Sequence, residues 1–406
     1  MKWLIMALLL AVYTFRSYVT LLNYRASQSP LPERVRDIYD RERYRKWLRY
    51  SNELNRFNLT EQAFNLIVLL MFLSGPFAWL ARVIAGWTNN PILQTLLFLG
   101  VYQGVMFLLE IPFDYYRTFS IEERYGFNRT TFATFGRDLV LSLVLMVSLG
   151  GIILAGVNGL YLRYADNLWT FILTTWAVLG VIMLGFFAFL NRWFIRLFNK
   201  FTPLPPGTLR TRIEELATAV GFSLKSISVM DASRRSTKLN AFFSGIGRTK
   251  EVVLFNTLVE KASEDEILAV LAHELGHERY KDTFRLALMQ IGMVGLYAAG
   301  VGLVLQNPSL FHAFGLPDVH FGFAIVLFSI LFQPLQLVLN VPFMAAMRRA
   351  EYRADRFAAD KTDNGWMISA LKVLARENLS NLNPHPLFVR LYYTHPPIND
   401  RIAALE

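Results

Sequence analysis

The sequence predicts an all-α membrane protein, seven transmembrane helices carrying a small α+β head. Three observations predict it. Seven stretches reach the roughly 20 mostly apolar residues that cross a bilayer. One polar insertion, residues 192–282, interrupts them. Charged residues make up only 18% of the 406, against 54% apolar; an ordinary soluble domain has about 25% charged residues. So apolar a chain does not fit one water-soluble core, and its charge is too dilute for intrinsic disorder. There is no cysteine, which excludes disulfides, thiolate nucleophiles and Cys-ligated zinc.

The predicted spans are 3–22, 63–84, 92–113, 139–162, 168–190, 286–305 and 321–341. The last four contain no charged residue. Arg16 in the first and Arg82 in the second are cationic, and Arg82 lies near a helix end, where snorkelling is cheap. The first stretch is too long for a signal-peptide core and lacks a small-residue cleavage site, which predicts a retained anchor. Pro334 should kink the seventh span. Gln94, Gln103, Gln290, Gln333, Gln336 and Asn340 are polar at membrane depth and are expected to face the bundle interior.

Loop charges orient the bundle. Nine Lys/Arg, from Arg25 to Arg56, lie between the first two spans; 86–91 has none. The next loop is basic again at Arg117, Arg124, Arg129 and Arg137, and 306–320 has neither Lys nor Arg. This alternation places the odd-numbered loops and the C-terminus in the cytoplasm and the N-terminus outside. The net charge of +10 thereby follows topology; no nucleic-acid recognition module accompanies it, and nucleic acid is not an expected partner.

The insertion is expected on the cytoplasmic side. It opens with Pro203, Pro205 and Pro206 and continues with an amphipathic helix over 208–220, from the spacing of Leu209, Ile213, Leu216 and Val220. Short strands are predicted at 226–230, 241–246 and 252–255. Ser263 and Glu266 form a capping box that opens another helix. The expected organisation is thus 1–191 for five helices, 192–282 for the insertion, 283–347 for two more helices, and 348–406 for a C-terminal segment completing the site.

The last predicted helix of the insertion carries His273-Glu274-Leu275-Gly276-His277. Residues four apart on an α-helix are rotated by only about 40° and rise about 6 Å, so both imidazoles point to one spot. Two such nitrogens make half of a tetrahedral zinc site. Glu274 can reach a water activated there and take its proton. The string arises by chance in roughly one chain of this composition in two hundred. After the seventh span, Glu351 and Asp355 share one face of a predicted helix. Glu351 is the expected third ligand, and Asp355 would accept the outer N–H of a liganding His. Without the upstream pair, the same segment would read as a juxtamembrane helix of salt bridges.

H-E-L-G-H, followed beyond the last span by Glu351-Tyr352-x-Ala354-Asp355, resembles the integral-membrane type I CAAX prenyl proteases. Further strings agree: Glu122 to Asn128 (EERYGFN), Asn240 to Gly245 (NAFFSG), and His395-Pro396-Pro397 with Arg401. Asn256 departs from the Asp expected there. The resemblance implies one Zn²⁺ per chain held by His273, His277 and Glu351, with Glu274 as general base and seven helices enclosing a chamber below a cytoplasmic zinc-protease head. It places His395 and Arg401 where a substrate carbonyl or oxyanion would be held. It is compatible with Asn240, Ala241 and Phe242 forming a strand that binds peptide by β-addition.

The implied activity is zinc-dependent endoproteolysis near a substrate's C-terminus, in eukaryotic members after a prenylated cysteine. The implied partners are a peptide or protein, prenylated in those members, and the lipid bilayer. A quality-control protease with no prenyl requirement is the alternative within the class. A seven-span receptor or transporter with structural zinc is the alternative outside it; such sites usually take four protein ligands, often Cys, and this chain has none. His312, His320 and His385 are expected to be structural. Compact length and the lack of an ER-retention tail favour a bacterial cytoplasmic membrane over the ER.

Overall fold

The computed structural model describes residues 1–186, 196–244 and 251–406. Among the described residues six helices are long and apolar enough to span a membrane, and a bent helix pair, taken as one span, makes a seventh. In chain order the spanning part runs α1 (Lys2–Ser27), α2 (Arg41–Ser74), α3 (Pro76–Trp87), α4 (Pro91–Tyr116), α5 (Phe132–Arg163) and α6 (Leu168–Gly185). The fifth predicted span continues to 190, and 187–190 lie outside the described residues.

The second predicted span differs. The chain breaks at Gly75, so α2 ends at Ser74 and α3 is a separate helix with Pro76 in its first turn. Proline is favoured there because its missing N–H would have had no helical partner. The basic stretch 41–56 is not a loop; it is the first half of α2, projecting beyond the spanning part.

The head begins with strand β1 (Phe201–Pro203), an edge strand that the sequence reading missed. Helix α7 (Thr208–Ala219), strand β2 (Ser226–Met230), strand β3 (Ala241–Ser244) and strand β4 (Glu251–Phe255) follow. The predicted strand residues 245 and 246 lie outside the described residues. The sheet order is β1-β2-β4-β3, with only β2 and β4 parallel. β3 therefore lies at one edge, antiparallel to β4, with Ala241 opposite Leu254.

Helix α8 (Asn256–Lys261) leads to α9 (Glu264–Arg279), which starts at the predicted capping box: Ser263 Oγ accepts from Glu266 N, and Glu266 accepts from Ser263 N. Lys281, in the left-handed region at φ 55°, turns the chain into the spanning helix α10 (Asp282–Leu305). The last span is α11 (Phe321–Leu331) and α12 (Gln333–Lys361), bent by 57° where Pro334 opens the second helix. Helices α13 (Asn364–Glu377), α14 (Pro386–Tyr392) and α15 (Ile398–Leu405) complete the head.

The core of the head is not built from the insertion alone. Tyr39, Trp47 and Tyr50 from the first basic segment, and Ile121 and Phe127 from the third loop, pack with Leu254, Leu271 and Leu371. The spanning helices leave room between them. Gln333 lines a cavity of about 280 Å³. Gln290, Gln336 and Asn340 line another of about 520 Å³. Four of the six predicted polar groups thus face cavities; Gln94 donates to Thr88 O instead, and Gln103 is exposed.

Candidate active site

α9 and α12 cross so closely that a Cβ on Gly276 would lie 3.0 Å from Ala354 Cα. That approach lays the carboxylates of α12 over the imidazoles of α9. His273 Nε2 and His277 Nε2 stand 3.1 Å apart, their rings perpendicular. Glu351 reaches both, 3.5 Å from His273 and 3.3 Å from His277. The three side chains offer ligand atoms within 4.8 Å of one another.

Each imidazole is held from behind. His273 Nδ1 faces Asp355 Oδ1 at 2.8 Å, and His277 Nδ1 faces Asp282 Oδ2 at 3.2 Å. A proton on each Nδ1 leaves both Nε2 lone pairs aimed at one point, and Glu351 Oε2 is buried there with no hydrogen-bond partner. With both rings neutral these are three converging lone-pair donors, the arrangement a cation satisfies. The donor set fits a divalent metal of the zinc type. Asp282 was missed in the sequence; its position just after His277 is the only local signal.

Arg401 is buried, and its guanidinium is bidentate on Asp355, at 2.7 and 2.5 Å. It also lies 3.6 Å from Glu351 Oε2. Its fork is therefore committed behind His273. His395 is largely exposed and sits 3.4 Å from Glu351 Oε1, held by Thr394 Oγ1 at 2.9 Å. Glu274 is half-buried and lines the cavities on both sides of the His273, His277 and Glu351 cluster. Burial pushes its carboxyl above the ordinary range, against the pull of His273 and His277. Burial lowers His273, but its bonds to Asp355 and Glu351 win and raise it to about 9.

The larger flanking cavity, about 490 Å³, is a cleft bounded by Asn240, Ala241, His273, Glu274 and His395 on the metal side. Asn240 is exposed, whereas Phe242 packs against Phe255 on the sheet's other face. Asn256 accepts from Ser233 N and donates to Ser233 Oγ, which caps a turn away from the cluster. His385 and His320 cap helices through Leu387 N and Phe323 N, and His312 pairs with Pro317 O.

A helix-borne H-E-x-x-H, a carboxylate brought to it by a membrane helix and a buried supporting shell are the features of an integral-membrane metallopeptidase. Residues 20–200 match the family described as CAAX prenyl protease N-terminal, five membrane helices, and 203–406 match peptidase family M48. The chain belongs to that M48 family, in its CAAX prenyl protease branch. It is 33% identical to the CAAX prenyl protease 1 homolog of Oryza sativa subsp. japonica, over 99% of this chain and 96% of that one. It is 32% identical to CAAX prenyl protease 1 of Saccharomyces cerevisiae, over 100% and 95%. The crystal structure of S. mikatae Ste24p superposes with a TM-score of 0.93 at 30% identity, covering 100% of this chain and 99% of that one. The fold is accordingly that of a membrane protease with an internal chamber.

Proposed function

We propose that the protein is a zinc endopeptidase that cuts peptides near their C-terminus, with His273, His277 and Glu351 as ligands. The observation that carries this reading is the convergence of those three side chains on one point, each backed or buried as a ligand needs. Zinc bound there would supply Lewis-acid polarisation of a peptide carbonyl and an acidified water. Glu274 takes the proton of the attacking water and returns it to the leaving amine. His395, exposed beside Glu351, donates to the oxygen on which negative charge develops. Asp355 and Asp282 fix the tautomers of the two imidazoles, and Arg401 holds Asp355 in place.

The substrate lies along β3 as an added strand, Ala241 presenting backbone and Asn240 its amide to the peptide; Phe242 supports the strand from beneath. Sections 192–282 and 348–406 act as one protease head over the spans, facing the cytoplasm, with the N-terminus outside and a bacterial cytoplasmic membrane as the setting. Relatives named for prenyl proteolysis favour a substrate that ends in a prenylated Cys-a-a-X. A quality-control role without a prenyl requirement has the same chemistry.

A matched peptide pair tests the reading: one ending in farnesylated Cys-a-a-X, the other unprenylated, with the Glu274→Gln protein as blank. Preference for the first supports prenyl recognition, and equal cutting supports quality control. Cutting of neither overturns the assigned activity.

A further inference from the structure

Arg16 is a cation just past the middle of α1, at membrane depth. A charge there is costly unless paired, and its partner is the first thing to ask for. Among the described residues no carboxylate forms an ion pair with Arg16, and residues 187–195 and 245–250 contain no Asp or Glu. Its Nε is buried without a hydrogen-bond partner, and so is Asn65 Oδ1 on α2. Arg82 contrasts: its Nε donates to Ala78 O.

Arg16 and Asn65 line the same cavity of about 280 Å³, with Tyr13, Gln62, Tyr102 and Gln333. Five apolar side chains, Leu9, Val12, Leu66, Leu69 and Met106, share the wall with these polar groups, which include one cation and no acid. Such a lining suits an anion that accepts several hydrogen bonds, and a carboxylate matches the guanidinium fork.

The cavity lies below the catalytic cleft. Seven residues after Arg16, roughly 10 Å along the helix, Asn23 Oδ1 accepts from His385 N at 3.0 Å and lies 3.5 Å from Asn381 Nδ2. Asn381 and Tyr392 line the catalytic cleft. Burial raises the Tyr392 phenol, and the Arg16 charge is near enough to pull it down. An extended peptide covers about 3.3 Å per residue, so a tail of a few residues spans that distance.

We infer that Arg16 is the receptor for the free α-carboxylate of a peptide substrate's C-terminus, with Asn65 and Gln62 completing its cradle. A protease that cuts at a set distance from a chain end needs a feature only the end has, and the terminal carboxylate is that feature. This inference rests on the proposed peptidase reading.

The test uses full-length protein in neutral detergent. A fluorescent peptide acid and the same peptide as its amide are titrated by anisotropy onto the Glu274→Gln protein, with Arg16 intact or as Arg16→Gln. Their cleavage by otherwise wild-type enzyme is followed in parallel. Loss of one charge-assisted pair is worth about tenfold or more, so the acid should bind about tenfold tighter than the amide. Arg16→Gln should weaken the acid alone, while Arg16→Lys keeps part of the preference. Equal binding of acid and amide, or a preference that survives Arg16→Gln, overturns the inference. So does loss of amide binding in Arg16→Gln, which would make Arg16 structural. Erasure of the preference by added phosphatidylglycerol assigns Arg16 to lipid phosphate and overturns it too. A preference for the acid that depends on Arg16, with no cleavage of either peptide, upholds the carboxylate site and overturns the peptidase reading alone.

Discussion

Asp355 Oδ1 stands 2.8 Å from His273 Nδ1, across the α9–α12 crossing, while its two oxygens receive the Arg401 guanidinium. The carboxylate thus sits between the His273 imidazole and a buried cation, both aimed by its negative charge. Asp355→Asn removes that charge and turns one oxygen into a donor. Metal affinity should fall about 10–100-fold, as it does when such supports are lost, and metal analysis after dialysis checks it. Arg401→Met leaves Asp355 buried with only the His273 N–H as partner and should destabilise the head by about 3–5 kcal/mol. The double variant should cost less than the two single changes summed, because both act on one pair.

Glu274→Gln keeps the size of the side chain and removes the base. Metal content and melting temperature should stay at the wild-type level, and turnover should drop by about 10²–10⁴-fold. A variant with full activity would sink the proton-transfer role. The wild-type rate should fall on acidification through the pKa of Glu274, which burial places above the ordinary carboxylate value, since only the ionised form accepts a proton.

Metal binding should itself depend on pH. Without metal, His273 holds a proton up to about pH 9, because Asp355 and Glu351 stabilise the cationic ring against burial. Below that pH a metal must displace this proton, so apparent affinity should rise with pH by about tenfold per unit or more, and level off above it. Chelation at neutral pH should abolish activity and added Zn²⁺ restore it. Isothermal titration across pH 6–9 would expose a flat profile if the reading of the cluster is wrong.

What could be read from the sequence was what is local or periodic. The H-E-x-x-H pair, the Ser263 cap and the strands at 226–230 and 251–255 each sit within a few residues of their own signal. The break at Gly75 was hidden because hydropathy continues across it into α3. β1 was hidden because Pro203 argues against a strand except at an edge, where it is found. Long-range pairings left no trace either. Arg401 on Asp355, and Tyr39, whose hydroxyl lies within hydrogen-bond reach of Ala375 O and Ser380 O, join parts of the chain that only folding brings together.

The peptide-binding edge can be tested through Asn240, which is exposed on the cleft. Its Oδ1 now accepts from the adjacent Ala241 N at 2.9 Å, a bond a bound peptide can replace. Asn240→Ala should raise KM by about 3–10-fold, the loss of one or two modest hydrogen bonds, with kcat changed far less. Phe242→Ala acts differently. Its ring packs on Phe255 behind the strand, so its loss should lower the melting temperature and blur the strand's position, lowering kcat and raising KM together. A substrate that does not use this edge would leave KM unmoved in Asn240→Ala, and would place the peptide on the opposite wall of the cleft, beside Tyr393 and Asn378.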